Sequence, residues 1–201
     1  MRPRKGTQPV KVNHRLGAAL SCAAALLALS SLSACSSDDT GKKLDAWAQG
    51  VCDQTAAQTK KINDANTALT QVDSGGRPEA VRAADSAAFQ QISDAYKALA
   101  GIYSQAGAAP GDDGEQFQQK AVTSFTTLST QYAGLKKQVD ALDTTDQNKF
   151  ATGLQGVSDS FKQTSADGEK ALSSLRQGDQ GAALAKQPGC QSPSSTATPG
   201  S

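Results

Sequence analysis

Four segments of about 30 residues each repeat apolar or small side chains at alternating steps of three and four residues. This spacing places the repeated side chains on one face of an α-helix. The four segments are residues 42–72, 78–106, 114–142 and 147–176, and all four carry equivalent stripes. No run alternates with a period of two between turn residues, so the sequence predicts an all-α fold. In the first segment, residues 42–72, the stripe is Leu44, Ala48, Val51, Thr55, Gln58, Ile62, Ala65, Leu69 and Val72.

Turn-forming residues separate these segments. Residues 73–78 and 107–111 contain the glycines and prolines that end helices, and residues 143–146 offer side chains that cap a new one. Four helices of similar length joined by short connections predict an elongated up-down-up-down four-helix bundle over residues 44–190. Residues 182–186 are expected to add one further turn. Because glycine costs about 1 kcal/mol relative to alanine within a helix, the fourth helix is expected to be the weakest, since it contains Gly153, Gly156 and Gly168.

Residues 1–34 have the composition of a secretion signal. A basic head without acidic residues is followed by an apolar run over residues 16–34. Residues 32–35, Leu-Ser-Ala-Cys, resemble the lipobox of bacterial lipoproteins. That resemblance implies cleavage before Cys35 and attachment of a diacylglyceryl group to its sulfur. The alternative is a signal anchor that stays in the membrane; the run is near the lower length limit for a span, and the cysteine favours the lipoprotein.

A lipid on Cys35 predicts where the mature chain lies. Two acyl chains hold a protein stably on a bilayer, whereas one chain holds it only marginally. We therefore expect the protein on the extracytoplasmic face of the cell membrane. Residues 35–43 are predicted to be a flexible tether. Residues 191–201 are rich in Ser, Thr and Pro and are predicted to be a disordered tail.

The remaining cysteines predict one disulfide. Cys22 lies in the signal and Cys35 carries the lipid, which leaves Cys52 and Cys190. An isolated pair in an oxidising compartment is most simply a disulfide. In the predicted topology the start of the first helix and the end of the fourth lie at the same end, so a Cys52–Cys190 bond is geometrically natural. Two thiols without histidine make at most half of a zinc site.

The net charge of the mature chain and its lack of histidine argue against several classes of function. With the five basic residues of the signal removed, 15 basic and 19 acidic residues remain, a net charge of −4. This balance argues against nucleic acid as a partner. The only histidine, His14, lies in the signal, so the mature chain has no histidine for a catalytic triad or a metal site. We expect no catalytic residue, metal or cofactor.

Two short elements resemble a known group of proteins. Trp-x-x-x-Val-Cys-Asp occupies residues 47–53, and Pro-Gly-Cys occupies residues 188–190. Together with the four-helix pattern, they are similar to the small secreted lipoproteins of high-GC Gram-positive actinobacteria. The resemblance covers most of the mature chain. It implies a cell-surface location outside a single membrane and brings no activity with it.

Aromatic side chains are the first candidates for a binding site. Trp47 is expected to cap the core against the last turn of the fourth helix, with an anchor at the lipid headgroups as the alternative. Phe89, Tyr96 and Tyr103 repeat every seven residues. We expect them in the core because large aromatic side chains are mostly used for burial. The alternative is a groove for an apolar ligand or a partner helix.

Polar side chains give two weaker candidates. Thr55, Gln58 and Thr164 interrupt apolar stripes and are expected to meet in a polar internal layer that sets helix register, with a bound water or small ligand as the alternative. Residues 112–115 carry three acids beside glycine. Capping of the third helix is favoured there over calcium, because the spacing matches no EF-hand loop.

The sequence contains no recognised catalytic or nucleotide-binding motif, and it leaves the ligand-binding residues unknown. The first hypothesis is a non-enzymatic module that binds another protein of the cell envelope. The second is a small-ligand carrier with a pocket between helices. An enzyme that uses carboxylates alone is the third.

Overall fold

The computed structural model describes residues 34–191, and side chains from residue 39 onward. This part of the chain is all-α and contains no strand, which confirms the predicted fold class. The helices are α1 (Ala34–Gln71), α2 (Pro78–Ala106), α3 (Gly114–Asp140), α4 (Gln147–Leu175) and α5 (Gly178–Ala185), followed by a 3-10 helix (Pro188–Cys190). α5 has eight residues and is longer than the single turn predicted over residues 182–186.

α1 begins earlier than predicted. It has 38 residues and includes residues 35–43, the segment expected to be a flexible tether. This segment contains no proline, and Gly41 is its only glycine. Its Ser, Asp and Thr residues have modest helix propensity, but none of them breaks a helix as proline does. The Cys35 side chain, residues 1–33 and residues 192–201 lie outside the described residues, and the predictions for the signal, the lipid and the tail therefore stay predictions.

The helices pack unequally. α2 and α3 share the most extensive interface, α1 packs on α2, and α4 packs on α3. α5 and the 3-10 helix both pack on α1. Within residues 34–191, α1 and α4 share no comparable interface. The largest fully buried side chains are Val51, Cys52, Ile92, Leu128, Leu135, Val139 and Phe150.

Local sequence explains the helix starts. Pro78 occupies the first turn of α2, where its missing N–H costs no hydrogen bond. Asp146 caps α4, as predicted, because its carboxylate accepts hydrogen bonds from the backbone N–H groups of Asn148 and Lys149 at 2.9 and 3.1 Å. Among the described helices, none combines the length and the apolar character that crossing a bilayer requires.

Candidate functional site

An open groove runs between α1 and α4. It consists of three adjacent cavities of about 490, 380 and 280 Å³. The first and second cavities share Leu69 and Phe161 as lining residues, and the second and third share Tyr96 and Leu172. The three cavities therefore adjoin one another along α1 and α4, and we call them together the α1–α4 groove.

Aromatic side chains of α2 and α3 form the floor of this groove. Their ring centroids follow one another from Phe89 to Tyr132 at 6.2 Å, Tyr132 to Tyr96 at 5.6 Å, Tyr96 to Phe125 at 6.2 Å, and Phe125 to Tyr103 at 5.4 Å. All five side chains are buried, and each also lines one of the three cavities. The predicted burial of Phe89, Tyr96 and Tyr103 is confirmed, and the same rings also line the groove.

Half-buried apolar side chains form the two walls. They belong to the stripes that were expected to close the bundle, but α1 and α4 do not pack closely enough to cover them. Apolar surface left open to water in this way typically marks a binding site. The wall residues are Ile62 and Leu69 from α1, Val72 directly after α1, and Leu154, Phe161 and Leu172 from α4.

The tyrosine hydroxyls of the floor stay protonated at neutral pH. Burial raises the pKa of Tyr103 to about 12. Burial also raises the pKa of Tyr96 above its ordinary value, and the neighbouring Tyr132 raises it further. The pKa of Tyr132 is raised by burial as well, while a hydrogen bond with Ser165 opposes that shift. The floor is therefore uncharged, with hydroxyl groups that can donate hydrogen bonds.

A buried carboxylate lies at one end of the groove. Asp85 of α2 is 8 % exposed and lines the cavity of about 490 Å³. Burial raises the pKa of Asp85, and no charge or hydrogen bond from another described residue counters that shift. Asp85 lies on the helical stripe of the second segment, but no function was predicted for this residue from the sequence.

The polar side chains near Asp85 in the sequence, Arg82 and Ser86, donate hydrogen bonds to other residues. The guanidinium of Arg82, one turn earlier, lies 3.5 Å from the Leu142 carbonyl oxygen, to which it donates. The Ser86 hydroxyl donates to Asp140 over 2.6 Å. Hydrogen bonds from Lys136 and Ser86 lower the pKa of Asp140, so that exposed carboxylate is well satisfied while buried Asp85 is not.

The 3-10 helix brings the two remaining cysteines together beside the groove. The Cα atoms of Cys52 and Cys190 are 5.0 Å apart, and their sulfur atoms are adjacent. A Cβ atom at Gly189 would lie 2.6 Å from the Cys52 carbonyl oxygen, so only glycine permits this close approach. Cys190 also lines the third cavity, together with Thr55.

Trp47 packs on the core, as expected. Its ring lies edge-on to Tyr103 of α2 and Phe117 of α3, with centroids 6.3 and 6.0 Å away. The expected contact with the last turn of α4 stays a prediction. The Trp47 indole nitrogen is buried, with no hydrogen-bond partner among the described residues.

The predicted polar layer is divided between two faces of α1. Thr55 is buried, and its hydroxyl donates to the Cys52 carbonyl oxygen at 3.2 Å. Gln58 instead lines a surface depression between α1 and α2, beside Gln91. Thr164 is buried in α4. The described contacts thus do not join these three side chains.

The acids before α3 do not cap it through their side chains. Asp113 is the N-cap residue, but its carboxylate makes no cap hydrogen bond. Its φ and ψ of −96° and 10° differ from the extended conformation that directs a capping side chain toward the first turn. Within residues 34–191, no group of three or more His, Cys, Asp or Glu side chains is arranged to hold a metal ion.

The groove is the most extensive candidate site in the described part of the chain. A groove lined by Phe89, Tyr96 and Tyr103 was the alternative interpretation of their seven-residue spacing, whereas no sequence signal indicated that Asp85 lacks a partner. No protein-family model, curated protein or solved structure matches the chain.

Proposed function

We propose that the protein is a lipid-anchored, extracytoplasmic helical bundle that binds an elongated apolar ligand in the α1–α4 groove. The observation that supports this function is the continuity of three apolar cavities over one aromatic floor. A ligand that covers the half-buried walls removes apolar surface from water, which is the main favourable term in such binding. The proposal assigns the protein no reaction.

The proposal includes an up-down-up-down arrangement of α1 to α4. Ser86, near the start of α2, bonds to Asp140 at the end of α3. Gln118, near the start of α3, donates to the carbonyl oxygen of Tyr103 near the end of α2. Pairing of starts with ends is typical of antiparallel neighbours, and short connections favour the same arrangement for the other helices. The groove then runs along the helices for roughly 30 Å, at 1.5 Å per residue.

The proposal also includes a diacylglyceryl group on Cys35 and a disulfide between Cys52 and Cys190. The disulfide is supported by the 5.0 Å separation of the two Cα atoms, which lies within the range that such a bond requires. Thr55, which lines the third cavity, lies 20 residues beyond Cys35 in the sequence. In an α-helix that separation is roughly 30 Å, so the anchor would hold the groove close to the membrane surface.

Mass spectrometry of the full-length protein, gently extracted from its own membrane, tests the proposal. A denatured spectrum is expected to show the lipid on Cys35 and the loss of two hydrogens from the cysteine pair. A native spectrum is expected to show an additional mass of several hundred daltons. A native mass equal to that of the bare lipidated chain would contradict the ligand proposal.

A matched pair of variants locates the ligand. Leu172→Arg places a charge at the junction of the second and third cavities, whereas Ser173→Arg places the same charge on the exposed side of α4. We expect the additional mass to disappear from Leu172→Arg and to remain in Ser173→Arg, with circular dichroism confirming that both variants are folded. Retention of the ligand by folded Leu172→Arg would place it outside the groove.

A second candidate function is docking of another envelope protein. The groove is open to solvent along its side, and a length of roughly 30 Å corresponds to about 20 residues of a partner helix. The native spectrum separates the two functions, because a partner protein would add thousands of daltons rather than hundreds. A partner that is lost from Leu172→Arg and kept by Ser173→Arg would favour this second function.

A further inference from the structure

We propose that the α1–α4 groove selects ligands with a positively charged organic group, and that Asp85 binds this group. The inference rests on the proposed function, because it assigns a ligand class to the same groove. It depends on one buried carboxylate and on the side chains that surround it in the first cavity, the cavity of about 490 Å³.

Asp85 has no partner for its charge within the described residues. The residue is 8 % exposed and lines the cavity, and no described residue donates a hydrogen bond to it or forms an ion pair with it. Its carboxylate oxygens are not among the fully buried polar atoms without a partner, so they are accessible from the cavity. A charge that is partly removed from water is stabilised by pairing, and a cation that enters the cavity would supply that partner.

The composition of the cavity favours such a ligand. Among the described residues that line the cavity there is no lysine or arginine, so none of them competes with a ligand for Asp85. The volume of about 490 Å³ lies in the range of small-molecule sites. Polar side chains at Ser74, Gln147, Gln155 and Ser158 can accept hydrogen bonds from a charged ligand group.

Aromatic rings make an organic cation a better fit than a metal ion. Phe89, Phe150 and Phe161 line the same cavity as Asp85, and the rings of Phe89 and Phe161 are 5.6 Å apart. Aromatic faces attract ammonium groups and pack against the apolar body that carries them. A calcium ion needs six or more oxygen ligands, whereas Asp85 is the only carboxylate that lines this cavity.

Three probes that share a phenylalkyl body and carry a cationic, a neutral or an anionic terminal group test the inference: 4-phenylbutylammonium, 4-phenylbutanol and 4-phenylbutanoate. Their binding is measured by isothermal titration calorimetry at pH 7 on the full-length protein in lipid nanodiscs, with empty nanodiscs as the blank. A charge-assisted hydrogen bond favours the ammonium probe, and we expect it to bind about tenfold more tightly than the alcohol. The carboxylate probe is expected to bind most weakly, because it would meet a like charge.

Two variants attribute the preference to Asp85. Asp85→Asn keeps the side-chain shape and removes the charge, and we expect the ammonium and the alcohol to bind to it within twofold of each other. Asp94→Asn removes a charge from the exposed side of the same helix, where the carboxylate accepts a hydrogen bond from Gln90. It is expected to keep the tenfold preference.

The outcomes distinguish this inference from the function on which it rests. Equal binding of the ammonium and alcohol probes to the unmodified protein would overturn the role of Asp85 and leave the groove function standing. A tenfold preference that survives Asp85→Asn would also overturn that role. Failure of all three probes to bind would overturn both the inference and the use of this cavity by a ligand.

Discussion

α2 and α4 are both 29 residues long, yet 11 residues of α2 are buried and only five of α4. Both helices carry apolar stripes of the same period, so the stripe itself does not account for the difference. α2 has packed neighbours on two sides, α1 and α3, whereas α4 packs extensively on α3 alone within the described residues. The uncovered part of the α4 stripe becomes one wall of the groove.

The comparison distinguishes the helix faces that stabilise the fold from the helix faces that remain available to bind a ligand. Interior packing of α2 on α3 supplies a rigid floor, because close-packed cores resist changes of even one methylene group. The walls on α1 and α4 keep apolar surface available to a ligand because they lack such packing. Changes to the floor should therefore cost stability, and changes to the walls should cost binding.

The largest expected effect concerns the proposed disulfide between Cys52 and Cys190, which would tie the 3-10 helix to α1. Cys52→Ser is expected to lower the free energy of unfolding by about 2–5 kcal/mol, because it would open a loop between residues 138 apart in sequence. Urea unfolding followed by circular dichroism measures the change. Reduction of the unmodified protein should cause a similar loss, and reduction of the Cys52→Ser, Cys190→Ser double variant should cause none. Equal stability before and after reduction would contradict the proposed disulfide.

The second effect compares the buried core with the wall. Leu128 of α3 is 2 % exposed, whereas Leu154 of α4 is half-buried and lines the first cavity. Leu128→Ala is expected to cost about 3 kcal/mol through lost burial and a new void, and Leu154→Ala about 1 kcal/mol. Urea unfolding measures both. Equal costs for the two variants would mean that the wall of α4 is packed as tightly as the core of α3.

The third effect is the pH dependence that Asp85 confers on the ligand-free protein. Its folded pKa lies above the ordinary value of 3.8, so the unfolded state loses its proton first and stability falls as pH rises above about 4. Asp85→Asn removes this loss. The variant should match the unmodified protein at pH 3 and exceed it by about 1 kcal/mol at pH 7, measured by urea unfolding at both values. A difference that does not change with pH would mean that Asp85 does not carry the effect.

The smallest effect concerns the glycines of α4. Gly156 is exposed, and a Cβ atom there would meet no atom within 4 Å. Gly156→Ala is expected to raise the melting temperature, with a gain of up to about 1 kcal/mol from better helix propensity. Gly153→Ala should gain less, because its Cβ would meet the end of the Leu142 side chain at 2.5 Å. No gain from Gly156→Ala would show that propensity does not limit α4.

Local pattern was sufficient to predict the helices. Residues 78–106 and 147–176 were predicted helical, and the structure places α2 at Pro78–Ala106 and α4 at Gln147–Leu175. Pro78 and Asp146 mark helix starts through effects that act within a few residues, which is why the sequence reveals them. The start of α1 was missed because residues 36–43 are polar and contain a glycine, which led to their interpretation as a flexible spacer.

The candidate site was only partly predictable. The spacing of Phe89, Tyr96 and Tyr103 indicated a shared helical face, and the structure confirms that all three are buried. A groove was the alternative interpretation of the same spacing, and the structure shows that these rings are both buried and exposed on one side to a groove. The expected packing of Trp47 on the core is confirmed, whereas its expected contact with the last turn of the fourth helix stays a prediction.

The sequence by itself determined the all-α class, the approximate extent of most helices and which face of each is apolar, because these properties follow from period and local breakers. Only the tertiary structure decided which apolar faces are covered. An apolar stripe indicates that one face of a helix favours burial. Which neighbouring element covers that face depends on how all the helices pack together. The opening between α1 and α4 and the missing partner of Asp85 are both consequences of that packing.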